Sequence, residues 1–367
     1  MRVVTAIAIG AALAIAAVVV VVAPPWHAPI ESVQTGPDGQ AMLQFATRSP
    51  WRVAPAPQAA DAPAAEGGAA ASATYKNVKV LTDISDAEFM RLQTAMTNWV
   101  SPKQGCAFCH VAGDFVSDAN PMKDVTRDML RMTRYLNTSW SNHVGSAGVT
   151  CFTCHRGEPV PPETWFPASA KIAHGMTARA ENWNEAADTV RAFFPDNGWA
   201  LYLLHDEPIR AESKTDLRGN TVASQYEVKR VYEMMMQMSD GIGVNCGYCH
   251  HSRAFSDWTQ STPARWIGHD AIRMMRDINV NFLLHLRDAL PQTREATKEN
   301  MLSIPREERG AHDGFGLAVC AQCHYGSPKP QDGAATLANY RALGTSVNAQ
   351  PLNPGTMMPV RDKPGER

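Results

Sequence analysis

Apolar residues recur at helical spacing in four stretches between residues 85 and 286, and each stretch carries a signal for where a helix begins or ends. The first helix is predicted to begin near Ser85, because Glu88 three residues later completes a capping box, and it must end before Pro102. The second is predicted to begin at Asn120, a good N-cap, with Pro121 at the first helical position.

The other two helices follow the same logic. The third covers about residues 224–238, and we expect it to end before Gly241. The fourth begins at Thr262-Pro263, passes Met274 and runs towards Leu286. With short helices, long loops and no alternating strand pattern, the chain is predicted to be mainly α with extensive loops and almost no sheet.

A different pattern occupies residues 3–23, which are apolar except for Thr5 and Gly10. As a helix this run would be about 31 Å long, enough to cross the hydrocarbon core of a bilayer. The alternative is a cleaved secretory signal, but such signals have apolar regions of about 7 to 15 residues and small-residue cleavage sites. Because the run is longer and no Ala-x-Ala site precedes Pro24, we predict one N-terminal transmembrane helix as the anchor. Either interpretation exports the rest of the chain.

Composition separates the two ends from the middle. A Pro/Ala-rich stretch follows the apolar run and cannot build a core, so it is interpreted as a spacer, and the Pro-rich C-terminus is similar. The formal net charge of -2 gives no field that would favour nucleic acid as a partner.

The eight cysteines carry the chemistry. They form four C-x-x-C pairs, a histidine follows each pair, and no cysteine lies elsewhere. In C-x-x-C-H, two thiols form thioether bonds to haem and the histidine binds the iron. The predicted covalent haem-binding residues are Cys106, Cys109, Cys151, Cys154, Cys246, Cys249, Cys320 and Cys323. The predicted proximal iron ligands are His110, His155, His250 and His324.

Two other uses of eight cysteines are weaker. Two four-cysteine zinc sites would leave the histidine after every pair without a role. Disulfides between neighbouring C-x-x-C thiols would be strained and easily reduced. We therefore predict four covalently bound c-type haems.

The haem motifs and their helices repeat in pairs. The run that ends at Asn137 resembles the run that ends at Asn279, and the approach from Met96 to Cys106 resembles that from Met238 to Cys246. The chain is therefore interpreted as a duplicated two-haem module. The predicted divisions are 1–24 anchor, 25–74 spacer, 75–160 first two-haem module, 161–222 connecting segment, 223–330 second two-haem module and 331–367 irregular C-terminal tail.

The helices before each motif are natural sources of a sixth iron ligand. A methionine raises the haem potential relative to a second histidine. Met129 is the candidate on the second helix, and the third offers Met234, Met235, Met236 and Met238. The fourth has Ala271 where the second has Met129, so one haem needs a ligand from elsewhere. His143 and its repeat partner His285 are the histidines placed for this role, although any single methionine is more often a core residue.

Three segments resemble the tetrahaem cytochrome subunit of purple-bacterial photosynthetic reaction centres, and the similarity covers about residues 75–330. They are SNHVGSAGVTCFTCHRG (141–157), WVSPKQGCAFCH (99–110) and GVNCGYCH (243–250). The resemblance implies His/Met ligation at three haems and His/His at the fourth. It places Met129 at the second haem, Met235 at the third and His143 at the fourth.

The first haem departs from this pattern. The family's methionine position falls at Gln93 in this chain, and glutamine is a poor iron ligand. Met96 lies one turn nearer the motif and Met90 one turn before it. We predict Met96 as the substitute. The family also often carries an N-terminal lipid on a cysteine that this chain lacks, so the apolar run would supply the anchor.

The resemblance implies an electron carrier rather than an enzyme, on the periplasmic face of the bacterial inner photosynthetic membrane. Electrons would pass from a soluble periplasmic donor, a small c-type cytochrome or an iron-sulfur protein, to the photo-oxidised special pair. Its partners would be the bacteriochlorophyll-bearing membrane subunits, with contact to a light-harvesting antenna left open. The alternative is a periplasmic multihaem reductase with one open haem, for which the first site is the candidate.

Overall fold

The fold is mainly helical, as predicted. The structure is a computed structural model that describes residues 30–34, 43–47, 63, 67–164, 198–209, 225–284, 286 and 316–351. The α-helices of this part are α1 (Ala71–Thr74), α2 (Asp86–Val100), α3 (Met122–Ser139), α4 (Ser141–Val144), α5 (Cys151–His155), α6 (Gly198–Leu203), α7 (Gln225–Ile242), α8 (Pro263–Ile278) and α9 (Cys320–His324). The 3₁₀ turns are Gly105–Phe108, Cys246–Tyr248, Pro330–Gly333, Thr336–Asn339 and Arg341–Leu343.

Helix α2 begins where the sequence predicts. The Ser85 side chain accepts a hydrogen bond from the Glu88 backbone N–H at 3.2 Å, and so satisfies a donor that the first turn leaves without an intrahelical partner. The helix ends at Val100, two residues before Pro102. Its buried stripe contains Leu92, Met96 and Trp99, among others.

The start of α8 confirms the prediction, whereas α3 begins one residue later than predicted, with Pro121 as its N-cap. Before α3, the Asn120 side chain accepts a hydrogen bond from the Met122 N–H at 3.0 Å. Helix α8 has Thr262 as its N-cap and Pro263 in its first turn. Beyond Ile278 it continues into a π-helical turn, Asn279–Leu283, so the predicted extension towards Leu286 is partly in this wider winding.

Helix α7 is longer than predicted, because Gly241 lies inside it rather than after it. A Cβ on Gly241 would lie 3.0 Å from the backbone nitrogen of Ala321, so glycine is needed there for α7 to approach α9. The turn that ends the helix is Gly243, which has a φ of 69°. A Cβ at Gly243 would also overlap the carbonyl oxygen of Gly326.

Two hydrophobic clusters form the core of the described residues. One lies between α6, α7, α8 and α9 and includes the fully buried Leu203 and Met234. The other lies against α2 and α5 and includes Leu92, Phe152 and Leu343. The first cluster includes Cys320 and the second includes Phe152, so they adjoin the fourth and the second motif.

The segment after residue 330 differs from the irregular tail that the sequence suggested. Its 3₁₀ turns place Tyr340 and Leu343 in the second cluster, with Leu343 fully buried. Tyr340 packs edge-on against Trp99 with ring centroids 4.6 Å apart. The Pro-rich composition hid this contribution because a few apolar residues, held by long-range packing, are enough to cover the core.

Asn137 and Asn279 make the same hydrogen bonds at equivalent places. The Asn137 side chain bonds the backbone of Val149 in both directions, at 2.8 and 2.9 Å. The Asn279 side chain does the same with Ala318, at 2.7 and 3.0 Å. Val149 and Ala318 each lie two residues before the first cysteine of a motif, so each asparagine ties its helix to the segment that enters α5 or α9.

Two buried arginines, each three residues before one of these asparagines, also bind a distant segment. Arg134 donates from Nε to the carbonyl of Ala342 at 2.9 Å and pairs with Asp83 at 3.0 Å. Arg276 donates from Nε to the carbonyl of Tyr202 at 3.1 Å and pairs with Asp206. Each guanidinium therefore fastens a distant segment onto its helix.

The described part of the spacer contains one antiparallel pair of strands, β1 (Ile30–Gln34) and β2 (Leu43–Thr47), with Ile30 opposite Thr47. The predicted transmembrane run at 3–23 lies outside the described residues. Within the described ranges, no helix combines the length and the apolar character that a membrane crossing requires.

Candidate haem-binding sites

The four motifs adopt two conformations, which alternate along the chain. The second and fourth motifs are the short helices α5 and α9, each followed by a left-handed residue, Arg156 (φ 51°) and Tyr325 (φ 50°). The first and third contain 3₁₀ turns. In these, the histidine N–H donates to the carbonyl of the first cysteine, His110 to Cys106 at 3.0 Å and His250 to Cys246 at 2.9 Å. In all four motifs, one turn joins the two thiols and the imidazole.

A backbone carbonyl orients three of the motif histidines. Nδ1 of His155 lies 3.0 Å from the Glu158 carbonyl, that of His250 lies 2.8 Å from Phe255, and that of His324 lies 2.9 Å from Ser327. A hydrogen bond at Nδ1 leaves Nε2 with the lone pair that a metal needs. The arrangement is that of an axial histidine with its supporting acceptor.

His110 has a looser version of this contact. Its Nδ1 is buried without a hydrogen bond of normal geometry among the described residues, although the Phe115 carbonyl still acts to raise the His110 pKa. The net pKa of His110 is lowered, first by burial and then by Lys123.

A phenylalanine ring lies beside each histidine of the first and third motifs. The ring centroids of Phe115 and His110 are 5.2 Å apart, and Phe255 stacks on His250 with centroids 4.4 Å apart.

Burial favours the neutral form of the other candidate histidines. It lowers the pKa values of His155, His250 and His324. It also lowers the pKa of His143 to about 4, with His324 as the second cause. Neutral imidazole is the form that ligates iron.

His143 and His324 come together although 181 positions of sequence numbering separate 143 from 324. Their ring centroids are 6.1 Å apart and their planes are inclined at 61°. Two metal–nitrogen bonds of about 2 Å each, plus the distance from each nitrogen to its ring centre, would bring two axial imidazoles to about 6 Å. This pair therefore has the separation that a metal ion held between two histidines requires.

Several of the motif thiols are buried, and burial favours their protonated form. Burial raises the pKa of Cys151 and that of Cys320 to about 12, and the pKa of Cys249 to about 11. Zinc binding needs thiolates, and burial disfavours the thiolate at these three cysteines. Within the described ranges no group of three or more His, Cys, Asp or Glu side chains is placed to hold one metal ion.

The candidate methionines fall into two classes. Met129 and Met235 are half-buried and pack against the first core cluster. Met96 is 6% exposed and lies inside the second cluster. Gln93 is half-buried, and Met90 is exposed.

The second and fourth motifs lie against each other. The Sγ atoms of Cys154 and Cys323 are 2.9 Å apart, and the contact with Cys154 raises the pKa of Cys323. Arg156 bridges the two motifs by donating to the Cys323 carbonyl at 3.2 Å. Its guanidinium also lies 4.9 Å from the Tyr325 ring centroid.

Sequence reasoning did not find Arg156 or the carbonyls that orient the histidines. A backbone acceptor three to five residues after a motif has no side-chain signature, so only the fold reveals it. Arg156 does carry a signal, because a charged residue directly after a buried motif must itself be accommodated near that motif.

These features fit covalently bound haem: two thiols and a histidine on one turn in each motif, three histidines held at Nδ1 by a backbone carbonyl, and His143 beside His324. The fold and the sites define a c-type cytochrome. The chain belongs to the family described as photosynthetic reaction centre cytochrome C subunit, whose model matches residues 26–344.

Individual relatives agree with this assignment. The photosynthetic reaction center cytochrome c subunit of Thermochromatium tepidum is 38% identical over 293 residues, which cover 79% of this chain and 69% of the relative. The subunit of the same name from Rubrivivax gelatinosus is 34% identical over 324 residues, with 86% and 84% covered. That from Roseobacter denitrificans is 34% identical over 333 residues, with 86% of each chain covered.

Family membership confirms the predicted role. The protein is an electron-transfer subunit of the photosynthetic reaction centre, an electron carrier rather than an enzyme, with covalently bound haem. It sits on the periplasmic side of the photosynthetic membrane.

Proposed function

We propose that the chain holds four haems and relays electrons from a soluble periplasmic donor to the photo-oxidised special pair of the bacteriochlorophyll-bearing membrane subunits. The observation that carries this proposal is the common construction of the sites. All four motifs place two thiols and a histidine on one turn, and three of the histidines donate from Nδ1 to a following carbonyl. Each bound haem would supply a one-electron ferric/ferrous couple.

The chain's own work is to attach, orient and shield these groups. The eight motif cysteines would form the thioether bonds, and His110, His155, His250 and His324 would provide the proximal nitrogens. On the distal side we propose Met129 at the second site, Met235 at the third and His143 at the fourth, which the 6.1 Å separation of His143 from His324 supports. Met96 stays the prediction from sequence for the first site.

We also propose that the chain is a duplicated two-haem module. Support comes from contacts that recur at equivalent positions in the two halves. Gly157 N–H donates to the Trp99 carbonyl at 2.7 Å, and Gly326 N–H donates to the Gly241 carbonyl at 2.8 Å. Asn137 on α3 and Asn279 directly after α8 add a second repeat of the same kind. Equivalent hydrogen bonds between backbone groups are expected of duplicated units that keep the same fold.

The halves meet along α3 and α8, where Tyr135 Oη donates to the Asp277 carboxylate at 2.7 Å and Trp140 Nε1 donates to the same oxygen at 2.9 Å. Tyr135 and Asp277 occupy equivalent helix positions, as expected near an axis that relates the two halves. The contact of Cys154 with Cys323 supports a central position for the second and fourth sites. The relay would then run through the sites in the order first, second, fourth, third, or the reverse.

The membrane attachment rests on sequence. We propose that residues 3–23 form the anchor, which would tether the soluble part beside the membrane subunits. The donor would be a small c-type cytochrome or an iron-sulfur protein, and an adjoining light-harvesting antenna is a further partner of the proposal.

Flash spectroscopy of the complex purified from membranes tests the proposed relay. The cytochrome should co-purify with the bacteriochlorophyll-bearing subunits, and flash bleaching of the special pair should be followed by haem oxidation. Adding a reduced small c-type cytochrome should then restore the reduced haem spectrum. Pigment recovery without any haem oxidation would contradict the proposal.

A further inference from the structure

Two equivalent hydrogen bonds show which residue of α2 corresponds to which residue of α7. The hydrogen bonds that link Trp99 to Gly157 and Gly241 to Gly326 are equivalent, since Gly157 and Gly326 stand at the same place after their motifs. Setting Trp99 against Gly241 pairs every residue of α2 with the residue 142 places later in number. Gln93 then corresponds to Met235.

Burial follows this pairing. Leu92 and Met234 are both fully buried, and Met96 and Met238 are 6% and 8% exposed. Gln93 and Met235 are both half-buried, and the exposed Met90 corresponds to the exposed Tyr232. The two helices therefore present the same faces to core and to solvent.

Most of the candidate iron ligands share one level of exposure. The four motif histidines, together with His143, Met129 and Met235, are all half-buried in the protein chain alone. A side chain that packs against a bound haem should look like this when only the polypeptide covers it. Gln93 belongs to this class, whereas Met96 does not.

Met96 is part of the apolar packing of the first half. It lies in the cluster that contains Leu92, Trp99 and Leu343, with the buried ring of Tyr340 nearby. Methionine is a common gap-filler in such cores. For its sulfur to reach an iron, the side chain would have to leave a packed position and open a cavity.

We infer that Gln93 occupies the distal position of the first haem site, and that this site is open to small neutral diatomic ligands of the carbon monoxide class. The inference rests on the proposed haem sites. The glutamine amide is a poor ligand for iron, and no hydrogen bond joins its side chain to another of the described residues. Its NH₂ group would be a donor beside the open position, and donors there govern which small ligands bind.

Carbon monoxide difference spectra of the dithionite-reduced holoprotein test the inference. The native chain should bind carbon monoxide at one haem of its four, and Gln93→Leu should keep this binding. Gln93→Met should abolish it and add a thioether-to-iron charge-transfer band in the ferric spectrum. It should also raise the midpoint potential of the first haem in a potentiometric titration, because a thioether favours ferrous iron. Met96→Leu, a volume-conserving change, should leave carbon monoxide binding unaltered.

The other outcomes overturn the inference. A native protein that does not bind carbon monoxide, with binding created by Met96→Leu or Met90→Leu, would identify that methionine as the ligand. A native protein and variants that all fail to bind would show that another side chain closes the site. Loss of covalent haem altogether would instead refute the proposed function, because haem stoichiometry is measured independently of ligand binding.

Discussion

The imidazoles of His143 and His324 lie beside each other, with ring centroids 6.1 Å apart and ring planes inclined at 61°. His143 is on α4 and His324 is the last residue of α9. A shared iron would therefore fasten α4 to α9 as well as set the chemistry of one site.

His143→Met should raise the midpoint potential of one haem, because a thioether favours ferrous iron more than imidazole does. The shift should exceed about 59 mV, the equivalent of a tenfold change in a one-electron equilibrium. Potentiometric titration of the holoprotein measures it. His269→Asn is the matched control, since His269 is exposed on α8, and should shift no haem. Unchanged potentials in His143→Met would remove His143 from the ligand set.

Asn137→Ala should destabilise the protein by about 2–4 kcal/mol, because it leaves the buried N–H and C=O of Val149 without their side-chain partner. Asn279→Ala should cost a similar amount through Ala318. Denaturant unfolding followed by circular dichroism gives the free energies. Asn98→Ala, at an exposed position of α2, is the control and should change stability by less than about 0.5 kcal/mol.

Gly243→Ala should be far more damaging than Gly113→Ala, although both glycines have positive φ, 69° and 79°. At Gly113 a Cβ meets open space, so only the backbone strain of about 1–2 kcal/mol is expected. At Gly243 the Cβ would also overlap the Gly326 carbonyl, which raises the loss to about 3 kcal/mol or more. Thermal unfolding compares the two variants, and equal losses would contradict the close approach of α7 to the segment after α9.

The contact between Tyr135 on α3 and Asp277 on α8 should make the protein less stable at alkaline pH. Burial, followed by the hydrogen bond to Asp277, raises the pKa of Tyr135 to about 12. The ordinary value is about 10, so the folded pKa is higher than the unfolded one. The neutral phenol therefore contributes stability that is complete below about pH 10 and is lost as the pH rises through the folded value.

Tyr135→Phe tests this directly. The difference in unfolding free energy between the native protein and the variant should shrink between about pH 10 and pH 12, as the native phenol ionises. A difference that stays constant across the interval would contradict the assigned role of Tyr135.

What could be predicted from sequence is what is encoded locally. The C-x-x-C-H motifs and the starts of α2, α3 and α8 depend on residues within a few positions, such as Ser85 with Glu88. The correspondence of Asn137 with Asn279 is also visible in the sequence, because the runs that end at the two asparagines are alike. These features needed no knowledge of the tertiary fold.

What was missed depends on contacts between distant segments. The sequence predicts that the third helix ends before Gly241, but Gly241 lies within α7, where α9 approaches it. Leu343 was assigned to an irregular tail, yet it is fully buried against α2 and α5. The bridging role of Arg156 between two motifs likewise requires α5 and α9 to be adjacent. Neither composition nor periodicity carries such information.

Covalent haem stoichiometry is the most direct test of the account. A pyridine haemochrome assay on the purified, denatured chain, normalised to protein by amino-acid analysis, should find four haems that acidified acetone does not extract. The replacement of Cys320 and Cys323 by alanine should lower that number to three. Fewer than four haems on the native chain would contradict the architecture proposed for it.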